Sequence, residues 1–193
     1  MRFIKNNAYN IVRLMVCQFG MMIFGLVLSF ATASMQGEFS DEMFLIVSLF
    51  SVVFHMVIIY YTVWELGARD IIRVETGRQK YDRFYGTKIS LIANLPNILF
   101  AFLGIIGYLG ICFDLGFGDG LYTVSHLISG FIQAPYLGVI KIFFASVGLT
   151  NSYFAGAIVY FVTIIPSIAV TSFAYILGCK NFRFIPSSKS KNQ

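Results

Sequence analysis

Long apolar runs separated by short polar segments dominate this chain. A helix that crosses the roughly 30 Å hydrocarbon core of a bilayer needs about 20 mainly apolar residues. Four runs meet that length and carry few charged residues. The pattern predicts an all-α integral membrane protein, a single helical domain over residues 1–193, with transmembrane helices at about residues 10–33, 43–66, 89–113 and 153–177.

A fifth apolar segment, residues 121–145, has a different pattern. Pro135 interrupts it, and its polar side chains recur at helical spacing; they are Ser125, His126, Ser129, Gln133 and Lys141. A polar stripe beside an apolar face favours a helix that lies in the membrane interface or against protein over one surrounded by lipid. We therefore expect an extracytoplasmic amphipathic or re-entrant helical segment, and five transmembrane helices if the segment crosses.

The positions of the Lys and Arg residues decide between these topologies. Of the 14 basic residues, all but Lys141 fall within residues 1–13, 67–88 or 178–193. Loops rich in Lys and Arg remain on the cytoplasmic side. Four crossings place all three basic segments on that side, whereas five would send the last segment outside. The charge pattern therefore predicts four crossings with both termini cytoplasmic.

Composition agrees with burial in a membrane. The chain is 58% hydrophobic and 12% charged, with a net charge of +5, whereas soluble domains carry about 25% charged residues. Basic residues near membrane ends attract anionic lipid headgroups, so we expect the lipid bilayer, and no nucleic acid, as the partner of this charge. The amino-acid composition, rich in Ile, Asn, Lys, Phe and Tyr, is typical of a bacterium of low genomic GC content. We expect the protein to lie in the plasma membrane.

The first apolar run also has features of a cleavable signal peptide, because Ala31-Thr32-Ala33 fits an A-x-A cleavage site. However, the apolar stretch from Leu14 to Phe30 is longer than the roughly 7–15 residues of a signal-peptide core. We therefore expect the run to remain as a signal anchor.

Residues suited to enzyme chemistry or cofactor binding are sparse. The chain has two His residues and no H-E-x-x-H motif, G-x-S-x-G elbow or P-loop. Its three Cys residues lie in or beside apolar runs without a C-x-x-C pair, which indicates free thiols that pack as small apolar residues. We expect no catalytic site, no metal site and no cofactor.

Polar residues inside the predicted spans are the candidates for ligand binding or for a pathway. His55 lies in the middle of the second span, where an ionisable residue is a functional candidate by default. The structural alternative is a neutral imidazole hydrogen-bonded to a neighbouring helix. His126 and Gln133 are further candidates, because the polar face of residues 121–145 could border a pocket.

The third span is interrupted at residues 94–97. Pro96 removes a backbone donor and disfavours helical geometry in the residue before it. Asn94 and Asn97 could therefore line a polar pocket together with freed carbonyls. The alternative is that they satisfy the kink locally or, as the nearby basic loop favours, cap the cytoplasmic start of the helix at the membrane interface. Pro166, inside the fourth span, has the same two interpretations.

The basic loop, residues 67–88, is longer than a minimal connection. Four of its side chains are candidates for docking a cytoplasmic partner or anionic lipid: Arg69, Arg73, Arg78 and Arg83. The alternative is a set of intramolecular ion pairs. Helical spacing would place Arg69 beside Glu65 and Arg73 beside Asp70.

Two functions are compatible with these features. The interrupted spans and polar candidates favour a transport-related membrane subunit, permease-like or substrate-binding, that acts with a membrane or cytoplasmic protein partner or as a homo-oligomer. The lack of a buried charge cluster, which ion-coupled transporters normally carry, favours a non-transporting interaction protein, such as an accessory, immunity or sensor protein. We expect the transport-related function.

Overall fold

The computed structural model describes residues 2–34, 40–78, 80–150 and 152–182. These ranges form helices and short connections, with no strand among them. The elements in chain order are α1 (Arg2–Ala33), α2 (Ser40–Glu75), α3 (Tyr85–Ala93), α4 (Leu95–Cys112), α5 (Gly118–Ile132), a 3₁₀ turn (Ala134–Tyr136), α6 (Leu137–Val147) and α7 (Tyr153–Cys179).

Four of these helices, α1, α2, α4 and α7, are long and apolar enough to cross a membrane. The prediction of four such helices is confirmed at this level. The predicted basic loop is wrong at both ends, because residues 67–75 continue α2 and residues 85–88 begin α3. Alternating charges at helical spacing satisfy one another along a helix, so the charged extension of α2 continues beyond its apolar part.

Side-chain contacts fix the direction of each helix in the bundle. α2 and α7 run parallel, since Asp70 near the end of α2 contacts Tyr175 near the end of α7. α1 runs antiparallel to α2, with Arg13 paired to Glu65. α3 runs antiparallel to α7. We call the end of the bundle where α2 and α7 begin the upper end, and the opposite end the lower end.

The helices α5 and α6, with the 3₁₀ turn between them, form a bent helix pair with an angle of 88°. By length and composition alone, this pair could count as a fifth span. Its contacts bring both of its ends to the upper end of the bundle. Tyr122, in the second turn of α5, packs on Tyr153 at the start of α7, and Lys141 of α6 pairs with Asp41 at the start of α2.

The outer surface of the bundle is apolar. Within the most apolar stretch of each long helix, only 22% to 33% of the residues are buried inside the protein. Large side chains such as Phe19, Phe30 and Phe50 are more than half exposed. Exposure of this surface to water would be strongly unfavourable, and soluble monomers rarely expose apolar patches larger than a few hundred Å². The fold is therefore compatible with a multi-pass membrane protein.

The lower half of the bundle is closely packed around two glycines. A Cβ atom on Gly178 would overlap the carbonyl oxygen of Trp64, and one on Gly67 would overlap the carbonyl oxygen of Tyr175. Small residues at a crossing let two helix backbones approach closely. This contact holds the ends of α2 and α7 together beside a buried apolar cluster that includes Ile59, Val63, Ile89 and Ala174.

We expect Gly178→Ala to destabilise the protein by about 1–3 kcal/mol, because the added methyl group forces α2 and α7 apart. Thermal unfolding in detergent micelles measures the effect. Gly20→Ala is the matched control: no atom lies within contact of the added methyl group, and Ala has the higher helix propensity. Equal stability of the two variants would contradict the close contact.

A polar cavity at the centre of the bundle

The tip of the bent helix pair, residues 133–136, lies in the middle of the bundle, and two glycines admit it. Gly25 of α1 packs against the backbone of Ala134 and Pro135, and Gly138 packs against Phe44 and Ser48 of α2. A Cβ at Gly25 would collide with the backbone of Pro135, and a Cβ at Gly138 would collide with the carbonyl oxygen of Phe44 and the Cβ of Ser48. The absence of side chains at these two positions therefore lets irregular backbone enter between the long helices.

Ser48 satisfies the backbone of this tip. Its hydroxyl donates to the carbonyl oxygen of Pro135 at 2.6 Å and accepts from the amide of Val139 at 3.2 Å. Both groups would otherwise lie unpaired beside a helix break. Because an unpaired backbone group costs several kcal/mol in a water-free environment, this buried serine is a structural requirement of the tip.

Beneath the tip lies a small cavity of about 20 Å³, which we call the central cavity. Its wall is built from residues of α1, α2, α4 and α7, the last residue of α5, the tip, and Asn94 at the break between α3 and α4. Eight of the lining residues are polar and three are apolar; in chain order they are Gln18, His55, Asn94, Asn97, Ile132, Gln133, Pro135, Tyr136, Thr163, Ile164 and Ser167. The break between α3 and α4 and the tip of the bent pair therefore meet at one polar site.

Three amide side chains form a chain of hydrogen bonds along one wall. Gln18 Nε2 donates to Asn94 Oδ1 at 2.9 Å, and Asn97 Nδ2 donates to the same oxygen at 3.0 Å. Asn94 Nδ2 in turn donates to the carbonyl oxygen of Ser90 at 2.9 Å. Asn94 is 1% exposed. This arrangement ties α1 to the break between α3 and α4.

The capping interpretation of Asn94 and Asn97 is wrong. Asn94 occupies the N-cap position of α4, but its side chain makes no capping hydrogen bond. Its acceptor oxygen is already shared by Gln18 and Asn97. Both asparagines are buried inside the bundle, so neither lies at an exposed helix end.

Gln133 closes the upper side of the central cavity. Its Nε2 donates to the carbonyl oxygen of Tyr160 at 3.1 Å, and its Oε1 accepts a hydrogen bond from the Thr163 hydroxyl. The tip is thus fastened to α7 through one side chain. Pro166 itself is exposed on the outer face of α7, and Ser167 beside it lines the cavity.

Three side chains of the central cavity keep polar atoms without a hydrogen-bond partner in the described part of the chain. They are both ring nitrogens of His55, the hydroxyl of Tyr136 and the hydroxyl of Ser167. His55 is 8% exposed, and its ring lies 6.5 Å from the Tyr136 ring in an edge-on arrangement. Buried polar groups are normally paired with protein or water, so these unpaired atoms distinguish this part of the cavity from the bonded amides.

Above the tip, a second and larger space of about 680 Å³ opens between the helices; we call it the outer groove. Its walls are largely apolar and include Leu26, Phe30, Phe44, Leu127, Phe131 and Leu137. Asp41 and Lys141 stand at its exposed rim, with Lys141 Nζ 2.7 Å from Asp41 Oδ1. Volumes of about 300–1,000 Å³ are typical of sites for small molecules.

The predicted ligand or pathway residues divide between these two spaces. His55, Asn94, Asn97 and Gln133 line the central cavity. His126 instead lines the outer groove, where its Nε2 lies 3.4 Å from the Tyr160 hydroxyl. The site residues named from the sequence did not include Gln18, Tyr136 or Ser167, although Ser167 directly follows Pro166. A single Gln in an apolar helix was the one available signal, because an apolar run tolerates such a residue only where it is paired.

Ion pairs at the lower end engage part of the predicted docking surface. Glu65 pairs with Arg13 at 2.9 Å and with Arg69 at 3.6 Å, and Arg73 pairs with the buried Asp70 at 3.4 Å. The Glu65–Arg69 and Asp70–Arg73 spacings are confirmed. Arg78 and Arg83, the other two docking candidates, are exposed and form no ion pair within the described residues.

The connection between α2 and α3 is held by Asp82. Its carboxylate accepts from Lys88 Nζ at 2.7 Å and from the amide of Phe84 at 3.0 Å. The hydrogen bond from Lys88 lowers the pKa of Asp82 below its ordinary value. This stabilisation is present at neutral pH and is lost as the pH falls through the lowered pKa.

Of the last basic segment, Arg183, Lys189 and Lys191 lie outside the described residues.

Comparison with known proteins does not assign the chain to a family. No protein-family model matches the chain, and neither a curated protein nor a solved structure matches it significantly.

We expect Asn94→Ala and Asn94→Ser each to lower the free energy of unfolding by about 1–3 kcal/mol, because both leave the buried donors of Gln18 and Asn97 unpaired. Thermal or denaturant unfolding in micelles measures the loss. Thr123→Ala, at an exposed position of α5, is the control and should change stability by less than about 0.5 kcal/mol.

Serine is itself a good N-cap residue. Wild-type stability of Asn94→Ser together with loss in Asn94→Ala would therefore restore the capping interpretation.

Proposed function

We propose that this chain is a transport-related membrane subunit in which the central cavity is the mid-membrane binding site. One observation carries the proposal: the break between α3 and α4, the tip of the bent helix pair and the intramembrane His55 all meet at one polar cavity. Irregular backbone at membrane depth occurs where it is buried in protein or lines a cavity. Transporter sites near the bilayer midplane are commonly built from such interrupted helices.

The outer groove supplies the route to this site. It reaches from the exposed Asp41–Lys141 rim to Tyr160, and Gln133 separates its floor from the central cavity. A solute that enters from the upper end must displace the tip before it reaches His55. In this proposal the tip acts as a gate, and its described position corresponds to the closed gate.

The proposed arrangement in the membrane has four transmembrane helices, with the bent helix pair as a re-entrant segment. Both of its ends lie at the upper end of the bundle, and the basic side chains of Arg13, Arg69 and Arg73 lie at the lower end. Positive charge favours the cytoplasmic side, which supports an extracytoplasmic groove, cytoplasmic termini and a plasma-membrane location.

The alternative function, a non-transporting interaction protein, is favoured by a different observation. Arg78 and Arg83 are exposed in the connection between α2 and α3, and the ion pairs of the described residues leave them free of intramolecular carboxylates. They are available to a cytoplasmic partner or to anionic lipid. A transport subunit could use the same surface to meet its partner.

Flux through purified protein in liposomes tests the proposal. A panel of solutes should include glycerol, urea, an amino acid and potassium chloride, with entry followed by light scattering or radiolabel. We expect at least one solute to enter faster than it enters protein-free vesicles. A partner protein that co-purifies stably, with no flux of any solute, would instead support the interaction protein.

A reversible cross-link tests the gate directly. In a background with Cys17, Cys112 and Cys179 changed to Ala, Asp41→Cys with Lys141→Cys ties α6 to α2 through a flexible thiol-cleavable cross-linker. We expect the cross-link to reduce flux by about tenfold or more, because the tip can no longer move, and reduction to restore it.

The control joins two other helices. Arg13→Cys with Glu65→Cys replaces a similar ion pair, 2.9 Å long, at the lower end and ties α1 to α2 without touching the bent pair. Its cross-link should leave flux unchanged. Equal inhibition by both cross-links would remove the assigned role of the tip.

A further inference from the structure

We propose that the central cavity is an uncharged, hydrated hydrogen-bonding site: it holds one water molecule against His55, Tyr136 and Ser167, and an uncharged polar solute replaces that water during transport. The first half concerns the cavity itself. The second half, which names the substrate class, rests on the proposed transport function.

The size of the cavity matches one water molecule. Its volume is about 20 Å³, and a cavity needs roughly 10–15 Å³ on this measure to hold a water molecule. A buried water also requires two to four polar partners. The unpartnered atoms of three side chains that line the cavity meet that requirement.

The chemistry of these atoms matches water as well. A neutral imidazole offers one donor and one acceptor, and each hydroxyl of Tyr136 and Ser167 offers both functions. Water carries two donors and two acceptors, so it can join His55 to both hydroxyls at once. The remaining amides are already engaged: Asn94 bonds Gln18 and Asn97, and Gln133 bonds Tyr160 and Thr163.

The cavity offers no charge to compensate an ion. Its lining contains no Asp, Glu, Lys or Arg, and its titratable members are His55 and Tyr136. Two ion pairs of the adjoining helices lie at the two ends of the bundle, Arg13–Glu65 below and Asp41–Lys141 above. Burial of an unpaired charge is strongly unfavourable, so the site favours an uncharged solute with hydroxyl or amide groups.

Solid-state NMR of ¹⁵N-histidine-labelled protein in lipid bilayers tests the hydrated site. The chain contains two His residues, so His126→Asn leaves His55 as the single labelled imidazole. We expect a neutral imidazole at neutral pH with magnetisation transfer from water protons. Tyr136→Phe with Ser167→Ala should abolish that transfer, because the water loses two of its three partners.

The matched control changes the same residue types at exposed positions, Tyr153→Phe with Ser146→Ala, and should retain the water transfer. Melting temperature, measured on each double variant, separates loss of the water from loss of the fold. A His55 signal without water contact in the otherwise unchanged protein would overturn the hydrated site. An imidazolium signal at neutral pH would overturn the uncharged site.

Solute selectivity in proteoliposomes tests the substrate class. We expect glycerol or urea to enter at least about tenfold faster than potassium chloride, because an ion must lose its hydration without a compensating charge. Faster entry of the salt would overturn the substrate class and leave the transport function standing. Absence of flux for every solute would overturn the transport function and the substrate class together, while the NMR result would still decide the hydrated site.

Discussion

Irregular backbone can stand in the middle of a membrane bundle only if protein groups satisfy it. The tip at residues 133–136 meets this condition through two side chains, Ser48 and Gln133. The Ser48 hydroxyl pairs with the carbonyl oxygen of Pro135 in the tip and with the amide of Val139 in the first turn of α6. Gln133 fastens the tip to the backbone of α7. In the proposed membrane arrangement no water is available to replace these bonds, so they hold the tip in place. The central cavity and the outer groove exist because the tip stops there.

The two halves of the bundle differ in how tightly they pack. At the lower end, Gly67 and Gly178 bring the backbones of α2 and α7 into contact beside a buried apolar cluster. At the upper end, residues of α1, α2, α5, α6 and α7 line a groove of about 680 Å³. A rigid end joined to an open end suits hinge-like motion, in which packed elements pivot about a fixed contact. The bent helix pair lies at the upper end, where in the proposed function such motion changes access to His55.

The sequence predicted well those features that depend on local pattern. Run length predicted four membrane-length helices. Whether residues 121–145 cross stays a prediction, but their polar stripe led us to expect contact with the membrane interface or with protein. Buried Ser125 and Ser129 agree with that expectation. The i,i+4 spacing of Glu65 and Arg69 correctly predicted their pairing on a helix, although the loop was expected to begin at residue 67.

Features that depend on contacts between residues distant in sequence could not be predicted from the sequence. Asn94 was interpreted as a helix cap because it lies close in sequence to the basic loop. Its hydrogen-bond partner Gln18 lies 76 residues away, so the local sequence carries no sign of that bond. The pairing of Ser48 with Pro135 spans 87 residues, and a lone serine in an apolar run carries no sign of it. For the same reason, His55 and Gln133 could be named as candidates, but their meeting in one cavity could not be foreseen.

The sidedness of the bent helix pair is the most direct test of this account. Single cysteines at Gly116 and Thr150, which flank the pair at exposed positions, can be introduced into the cysteine-free background and labelled in sealed vesicles with a membrane-impermeant maleimide. Arg78→Cys serves as the reference for the lower end. The account predicts that both flanking cysteines react from one side and the reference cysteine from the other. Reaction of the two flanking cysteines from opposite sides would show that the segment crosses, and would contradict a tip that stops at the centre of the bundle.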